Sequence, residues 1–269
     1  MFKRGSGGVL QRLLTGLWYC WRVFATGLCF ATFGIGGLIL RVLVFPLLYL
    51  LVRDSRRRID LARGIIRLTF RSFIELMQAV GVLRYRISGS DRLARHGLLI
   101  LANHPTLIDT VFLMALVRHA DCIVKGALWN NPFTRGPVRA ANYINNDQGV
   151  DLVSDCIASL QGGNNLIIFP EGTRTGLDGV ISLKRGAANI AVRGARNVTP
   201  VLIRCEPMTL SKGEKWWHIP PRQACFRIDV QEDIPIDRFI ADGSSEVIAA
   251  RRLTDYLQTY FTEENQRHA

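Results

Sequence analysis

The chain has 269 residues, 48% of them hydrophobic, and a formal net charge of +12, which leaves room for one ordinary catalytic domain and a smaller attachment segment. The charge is concentrated in residues 1–86, which carry 14 Lys/Arg and three Asp/Glu, whereas residues 87–269 carry 20 and 19. Basic charge that flanks an apolar segment favours anionic lipid head groups and excludes nucleic acid as the expected partner.

The apolar segment lies near the start of the chain. Residues 23–40 carry no charge, and a second apolar run follows at residues 42–52. About 20 helical residues cross a hydrocarbon core, so the first run is just long enough to span one. Basic residues on both sides favour both ends at the cytoplasmic face, which predicts a helical hairpin broken near Gly34–Gly37, Arg41 or Pro46. A single span and a buried core helix of a soluble protein are the alternatives.

The next segment, residues 59–80, has the pattern of a basic amphipathic helix. Arg63, Arg67 and Arg71 recur every four residues and therefore stack along one helix face. This pattern is typical of a helix in the membrane interface, although an ordinary helix packed on a domain has it too. We therefore predict membrane-attachment helices over residues 1–80 and a separate domain over residues 81–269.

After Gly81 the pattern changes to short apolar runs that alternate with helical stretches. This alternation predicts an α/β fold with a mainly parallel sheet flanked by helices. The predicted strands are Arg84–Ser88, Leu98–Ala102, Asp121–Lys125, Tyr143–Asn145, Leu166–Phe169, Val198–Cys205 and Ala224–Val230. The predicted helices are Thr106–His119, Asp151–Gln161, Lys184–Arg193 and Ser245–Phe261.

The six cysteines are scattered through the chain, without a CxxC pair or a Cys/His cluster. A disulfide framework and a zinc site are therefore not expected, and the thiols are expected to be reduced in a cytosolic domain. The sequence predicts no metal site and no bound cofactor.

One polar segment follows the strand that ends at Ala102. His104 would lie at a strand-to-helix corner, and Asp109 would lie one turn inside the helix. A carboxylate that binds one imidazole nitrogen fixes the tautomer and leaves the other nitrogen free to act as a base. By itself this spacing is also compatible with a solvated or capping histidine.

A second segment, LIIFPEGTRTG, begins with the predicted strand Leu166–Phe169 and continues into a polar loop. Pro170 ends the strand, Gly172 permits a tight turn, and the loop presents Glu171, Thr173 and Arg174. Ligands of open α/β sheets bind at the carboxyl ends of strands, and an arginine there can grip a phosphate. A surface turn with a structural Glu–Arg pair is the other reading.

Together the two segments resemble the glycerolipid (lysophospholipid) acyltransferase family. NHPTLID at residues 103–109 resembles its NHxxxxD (HX4D) block, and FPEGTRT at residues 169–175 resembles its FPEGTRS block. The resemblance extends over roughly residues 85–230, through CIVKGALWNNPF around Lys125 and SLKRGAANIA around Lys184.

The resemblance implies acyl transfer from a thioester of coenzyme A or acyl carrier protein to a hydroxyl, as in a 1-acylglycerol-3-phosphate acyltransferase. It implies His104 as the general base and Asp109 as the residue that orients it. The GxSxG elbow of serine-nucleophile enzymes is absent from the sequence, in keeping with direct transfer. By position in the motifs, the residues implied to hold the polar head of the acceptor are Glu171, Gly172, Thr173, Arg174, Lys125 and Lys184. The expected partners are membrane lipids and the acyl donor, and the expected location is the cytoplasmic face of the inner (plasma) membrane.

One stretch departs from the resemblance. Family members that acylate lysophosphatidic acid carry a block similar to GxxxIDR, whose arginine helps to hold the phosphate. Residues 140–147 read AANYINND here, which puts Asn146 or Asp147 at the arginine position. An acid there would repel an acceptor phosphate. This favours an alternative, an acyl carrier protein-dependent enzyme that acylates an amino-acid lipid or a specialised polyene lipid. A non-catalytic membrane-binding module is the alternative of a different class.

Overall fold

The computed structural model describes residues 6–131, 134–176, 179–240 and 245–267. Its centre is a seven-stranded sheet in the order β1-β7-β6-β2-β5-β3-β4. All neighbouring strands run parallel except β6 and β7, which are antiparallel. The strands are β1 Leu83–Ser88, β2 Leu99–Ala102, β3 Ala120–Val124, β4 Ile144–Asn145, β5 Asn165–Ile168, β6 Val198–Glu206 and β7 Ala224–Val230.

Ten α-helices lie among the described residues. They are α1 Ser6–Ile39, α2 Phe45–Leu51, α3 Ser55–Ala79, α4 Asp109–Leu116, α5 Gly126–Asn130, α6 Arg135–Ala140, α7 Leu152–Gln161, α8 Gly186–Arg193, α9 Asp237–Ile240 and α10 Glu246–Gln266. A π-helical turn, Leu40–Val44, joins α1 to α2, and 3₁₀ turns occupy Ser90–Ala94 and Asn146–Asp151.

Helices cover both faces of the sheet, and the side chains of β2 alternate between the two cores. Ile100 and Ala102 pack on the side of α3 and α4, whereas Leu99 and Leu101 pack on the side of α7, α8 and α10. A strand that is buried on both faces reads as a continuous apolar run, because successive side chains point to opposite faces. The predicted fold class, a mainly parallel sheet flanked by helices with an N-terminal apolar helical segment, is confirmed.

The N-terminal helices differ from the predicted hairpin. Helix α1 passes through Gly34–Gly37 without a break and continues through the π turn, which contains Arg41, into α2. The chain reverses direction later, after Leu51, and Asp54 caps α3 by accepting a hydrogen bond from the Arg57 amide at 2.7 Å. Helix α3 then runs back along α1, where Trp21 Nε1 donates to the Val80 carbonyl at 2.9 Å. The glycines do not end α1 because the intrahelical hydrogen bonds continue through them.

The same helical stretch, Leu14–Leu51, is long and apolar enough to cross a membrane by length and composition. Only 11% of its apolar window is buried inside the protein, so it is not the enclosed core helix of a soluble domain. Core helices and signal sequences can be equally long and apolar. The exposed apolar surface of this stretch is therefore a better indicator of membrane attachment than its length.

Helix α3 is amphipathic, but the predicted arginine stripe is wrong at Arg63. This side chain is 6% exposed and is bound to Asp121 of β3, while Arg71 lies in the open beside Glu75. Ile66 and Phe73 on the same helix belong to the core beneath the sheet. Helix α3 therefore packs on the α/β domain, and the proposed division at residues 80 and 81 stays a prediction.

Candidate active site

The first site loop connects β2 to α4 at the carboxyl edge of the sheet. Asn103 fixes its start, because its buried side chain donates to the Ile203 carbonyl at 2.8 Å and accepts from the Ile203 amide at 2.7 Å. Helix α4 does not begin until Asp109. His104 therefore precedes the helix, and the chain from Pro105 to Ile108 can fold back so that the two side chains meet.

His104 and Asp109 form a hydrogen-bonded pair. The His104 Nδ1 to Asp109 Oδ2 distance is 2.9 Å. Thr106 also donates to this carboxylate, from its amide to Oδ2 at 2.6 Å and from its hydroxyl to Oδ1 at 2.5 Å. The Asp109 side chain is fully buried, whereas His104 is 16% exposed. The pair therefore has a buried, firmly held acid and an imidazole that a substrate can reach.

Burial raises the pKa of Asp109, and the hydrogen bonds from His104 and Thr106 act in the opposite direction. These hydrogen bonds stabilise the carboxylate in a site from which water is excluded. Because Nδ1 faces Asp109, the nitrogen left for chemistry is Nε2. The arrangement suits a general base whose tautomer is fixed by the hydrogen bond from Nδ1 to Asp109.

The second site loop follows β5 and is built around His104. The Glu171 Oε1 atom accepts hydrogen bonds from the His104 amide at 3.0 Å and from the Thr175 hydroxyl at 2.9 Å. The Thr175 amide donates to the His104 carbonyl at 2.8 Å. The Phe169 ring stacks on the imidazole, with 4.1 Å between centroids. This loop thus contacts both the backbone and the ring of His104.

Glu171 is 5% exposed, although the motif predicts it at the acceptor. Burial raises its pKa, while the hydrogen bonds from Thr175 and the His104 amide lower it and the nearby Asp109 raises it. Its carboxylate therefore faces protein N–H and O–H groups.

Gly172 and Lys184 lie together on the open side of the loop. Gly172 has a φ of +68°, and a Cβ at this position would lie 2.9 Å from Lys184 Nζ. The Lys184 amide donates to the Pro170 carbonyl at 2.8 Å. Both Lys184 and Thr173 are exposed. The glycine therefore permits a lysine ammonium to rest on the backbone of the turn.

Arg174 is bound to a third loop, which follows β6. It donates to the Leu210 carbonyl at 3.0 Å and to the Ser211 carbonyl at 2.8 Å. The Leu107 amide donates to the same Leu210 carbonyl at 3.0 Å. Arg174, which the motif predicts at the acceptor, thus ties the loop after β6 to both motif loops.

Lys125 follows β3 and Asp147 follows β4, further along the same edge. A Cβ on Gly126 would overlap Asp147 Oδ2, so the carboxylate lies directly against the Gly126 backbone. Lys125 and Asp147 are both exposed. The strand order places these opposite charges beyond β5 as seen from His104.

An apolar cleft separates this edge of the sheet from α1. Ile108 and Leu210 line it on the side of the site, and Trp216 covers it. The Trp216 ring lies against α1, 5.9 Å from the Phe30 ring and 3.4 Å from where a Cβ of Gly27 would be. The cleft therefore adjoins the His104 loop and an exposed apolar helix.

The residues that sequence reasoning missed are contacts of the motif residues. Thr106 lies three residues before Asp109, a spacing at which a threonine commonly binds a helix-start carboxylate, and this pattern could have been recognised. Thr175 and Phe169 lie within the FPEGTRT motif, but no local sequence pattern predicts which residues they contact. Within the described part of the chain, no three His, Cys, Asp or Glu side chains are grouped so as to hold a metal ion.

A family model described as "Acyltransferase" matches residues 84–204. Residues 84–204 thus resemble the acyltransferase family. The match begins in β1, ends in β6 and includes both motif loops.

Two known proteins are similar to this chain. A Caenorhabditis elegans protein named "Putative 1-acyl-sn-glycerol-3-phosphate acyltransferase acl-2" is 32% identical over 111 residues, which cover 38% of this chain and 39% of that protein. The chain thus matches well under half the length of this relative. The crystal structure of the 1-acyl-sn-glycerophosphate (LPA) acyltransferase PlsC from Thermotoga maritima superposes with a TM-score of 0.67 at 20% identity, over 94% of this chain and 98% of that one. The latter likeness establishes the shared fold.

Proposed function

We propose that the chain is a membrane-bound O-acyltransferase that moves a fatty acyl group from a coenzyme A or acyl carrier protein thioester to a lysophospholipid hydroxyl. The acceptor proposed is 1-acylglycerol-3-phosphate, which the names of both relatives support. The observation that carries the proposal is the His104–Asp109 hydrogen bond of 2.9 Å inside the region that resembles the acyltransferase family.

In this mechanism His104 Nε2 takes the proton of the acceptor hydroxyl. The oxygen attacks the thioester carbonyl carbon, and a tetrahedral intermediate forms. The C–S bond then breaks, the ester is released, and the thiolate recovers the proton from the imidazolium. Base catalysis of this kind contributes about 10²- to 10⁴-fold. Asp109 stabilises the imidazolium through Nδ1, and no acyl-enzyme forms.

Two exposed lysines are proposed to contact the acceptor head group. Lys184 rests on Gly172 in the loop after β5, and Lys125 follows β3. Thr173 adds an exposed hydroxyl. These three side chains are the proposed contacts of an anionic head group, whereas Glu171 and Arg174 bind protein groups and shape the loop.

Membrane attachment is proposed to occur through α1 and α2, with the helices dipping into one leaflet. Trp21 binds Val80 at one end of this stretch, and Arg41 packs against Gly136 near the other. Twenty residues of helix measure about 30 Å, the thickness of a hydrocarbon core. A helix that contacts the domain at both ends of this length cannot stand across the bilayer unless the domain enters it. We assign the site to the cytoplasmic face of the inner membrane because basic residues flank the apolar stretch on both sides.

A second candidate is an acyl carrier protein-dependent enzyme with another lipid acceptor, such as an amino-acid lipid or a specialised polyene lipid. Asp147 is the observation that favours it, because an exposed carboxylate against Gly126, the residue after Lys125, opposes a phosphate monoester. A non-catalytic membrane-binding module is disfavoured, since lipid adhesion does not require a buried acid that orients a reachable histidine.

The test is an acyl-transfer assay on the full chain in lipid vesicles. Labelled acyl coenzyme A and acyl carrier protein are each offered with 1-acylglycerol-3-phosphate, other lysophospholipids and lyso-amino-acid lipids. We expect transfer that the His104→Ala variant lacks while it keeps the wild-type melting temperature. Comparable transfer by the variant would refute the mechanism, and transfer to a lyso-amino-acid lipid alone would favour the second candidate.

A further inference from the structure

We propose that Glu171 and Thr175 are positioning residues that hold the backbone of His104, and that they do not bind the acceptor. The inference deepens the proposed function, since it assumes that His104 is the base. The proposal is based on the three hydrogen bonds that join His104, Glu171 and Thr175.

The His104 residue is held from both sides of its backbone. Its amide donates to Glu171 Oε1 at 3.0 Å, and its carbonyl accepts from the Thr175 amide at 2.8 Å. The Thr175 hydroxyl closes the ring by donating to the same Glu171 oxygen at 2.9 Å. We call Glu171 and Thr175 the His104 clamp. It joins the loops that follow two neighbouring strands, β2 and β5.

His104 needs such a clamp because it lies outside regular structure. Strand β2 ends at Ala102 and α4 begins at Asp109, so neither element fixes the His104 backbone. Asp109 fixes the ring only through Nδ1. A displacement of about 1 Å in a catalytic group can cost about 10²-fold in rate. Hydrogen bonds to both the amide and the carbonyl prevent rotation of this segment.

The burial and charge of Glu171 oppose a direct role in binding an anionic acceptor. The residue is 5% exposed, whereas its neighbours Gly172 and Thr173 are open to solvent. A carboxylate would also repel a phosphate, whereas it is a good acceptor for the His104 amide and the Thr175 hydroxyl. The hydrogen bonds from the His104 amide and the Thr175 hydroxyl are both accepted by one oxygen, Oε1. The amide oxygen of a glutamine at this position can therefore accept them too.

The clamp therefore predicts a specific pattern in three variants. Glu171→Gln keeps the acceptor oxygen, and its kcat should stay close to that of the wild type. Glu171→Ala leaves the His104 amide without its partner, and its kcat should fall by about 10²-fold at an unchanged acceptor KM. Thr175→Val loses only the hydroxyl bond and keeps the backbone amide, so its kcat should fall by less than that of Glu171→Ala.

The experiment measures kcat and acceptor KM for these variants in vesicles, together with the rate at which diethyl pyrocarbonate modifies His104, read by mass spectrometry. Asp233→Ala is the matched control, because Asp233 also accepts bonds from two side chains but lies at the far edge of the sheet. Glu171→Ala should change the His104 modification rate, and Glu171→Gln and Asp233→Ala should not.

Two results would overturn the clamp. A raised acceptor KM with retained kcat in Glu171→Ala would make Glu171 a binding residue. An equal loss of kcat in Glu171→Gln and Glu171→Ala would mean that the negative charge of Glu171, rather than the hydrogen bonds that it accepts, is required. If the wild type transfers no acyl group, the proposed function fails, and the modification rates still decide whether the clamp holds His104.

Discussion

Arg63 of helix α3 and Asp121 of strand β3 form a buried ion pair, with 2.9 Å between Nη2 and Oδ2 and side chains 6% and 3% exposed. Arg63 Nε also donates to the Ala141 carbonyl, and Asp121 accepts a hydrogen bond from Ser159 at 2.6 Å. Both groups that Arg63 binds, the Asp121 carboxylate and the Ala141 carbonyl, belong to the α/β domain. The N-terminal helices are therefore attached to the domain by a desolvated charge as well as by apolar packing.

Replacing Arg63 by Met should destabilise the fold strongly. The Asp121 carboxylate would stay buried without its cation, which costs about 3–5 kcal/mol. Urea unfolding in mild detergent measures the loss, and the Arg63→Met/Asp121→Asn double variant should recover part of it. Arg71→Ala, which breaks an exposed pair on the same helix, is the control and should unfold almost as the wild type does. Equal stability of the two single variants would contradict this account.

Replacing Asp109 by Asn should abolish most acyl transfer. An asparagine keeps the shape but cannot stabilise the imidazolium, so kcat should fall by about 10²- to 10⁴-fold. The acceptor KM should change little, since the residue is fully buried. Steady-state kinetics in vesicles measure both constants. A variant with more than a tenth of the wild-type kcat would remove Asp109 from the mechanism.

Replacing Glu171 by Gln should stabilise the fold at neutral pH. Burial raises the pKa of Glu171 above its usual value of 4.5, so the folded state binds this proton more tightly than the unfolded state does. The ionised residue therefore destabilises the fold above the folded pKa, and this penalty disappears as the pH falls to the unfolded pKa. The gain in melting temperature over wild type should shrink on acidification. A gain that grows toward low pH would contradict the raised pKa.

Polar substitutions on the outer face of α1 should release the protein from membranes. Phe24, Leu28 and Ile35 are 62%, 46% and 60% exposed, and together they give the helix an apolar outer surface. The Phe24→Ser/Leu28→Ser/Ile35→Ser variant should lose flotation with anionic liposomes while keeping its fold by circular dichroism. The control is Val247→Ser/Ile248→Ser, on the exposed surface of α10. Loss of flotation in the control alone would place the attachment surface elsewhere.

Replacing Asp147 by Asn should improve the use of a phosphate-bearing acceptor. Removal of the negative charge that lies against Gly126 leaves a more positive surface around Lys125. The kcat/KM for 1-acylglycerol-3-phosphate should therefore rise several-fold relative to a zwitterionic lysophospholipid. Salt should reduce the gain because it screens exposed charges. Asp151→Asn, an exposed acid in the same segment, should leave the preference unchanged. An unaltered ratio in Asp147→Asn would show that this carboxylate does not face the acceptor.

Local sequence patterns predicted the sheet closely. Each of the seven strands begins and ends within one residue of its predicted limits, because branched apolar runs between glycines, prolines and polar residues have few other stable conformations. Helix ends were less well predicted. Helix α4 begins at Asp109 rather than Thr106, since Thr106 uses its amide and hydroxyl to bind the Asp109 carboxylate.

The sequence by itself determined the fold class, because each strand and helix follows from a local pattern of apolar and polar residues. The partnership of His104 with Asp109 was implied by the resemblance of the two motifs to the acyltransferase family, and the spacing alone also allowed a solvated histidine. Only the tertiary structure decided the partners of the other charged groups. Glu171 contacts His104 across 67 positions of chain, Arg63 reaches Asp121 across 58, and Arg174 reaches Leu210 across 36. Such contacts depend on which strands become neighbours in the sheet, and no local period in the sequence encodes that order.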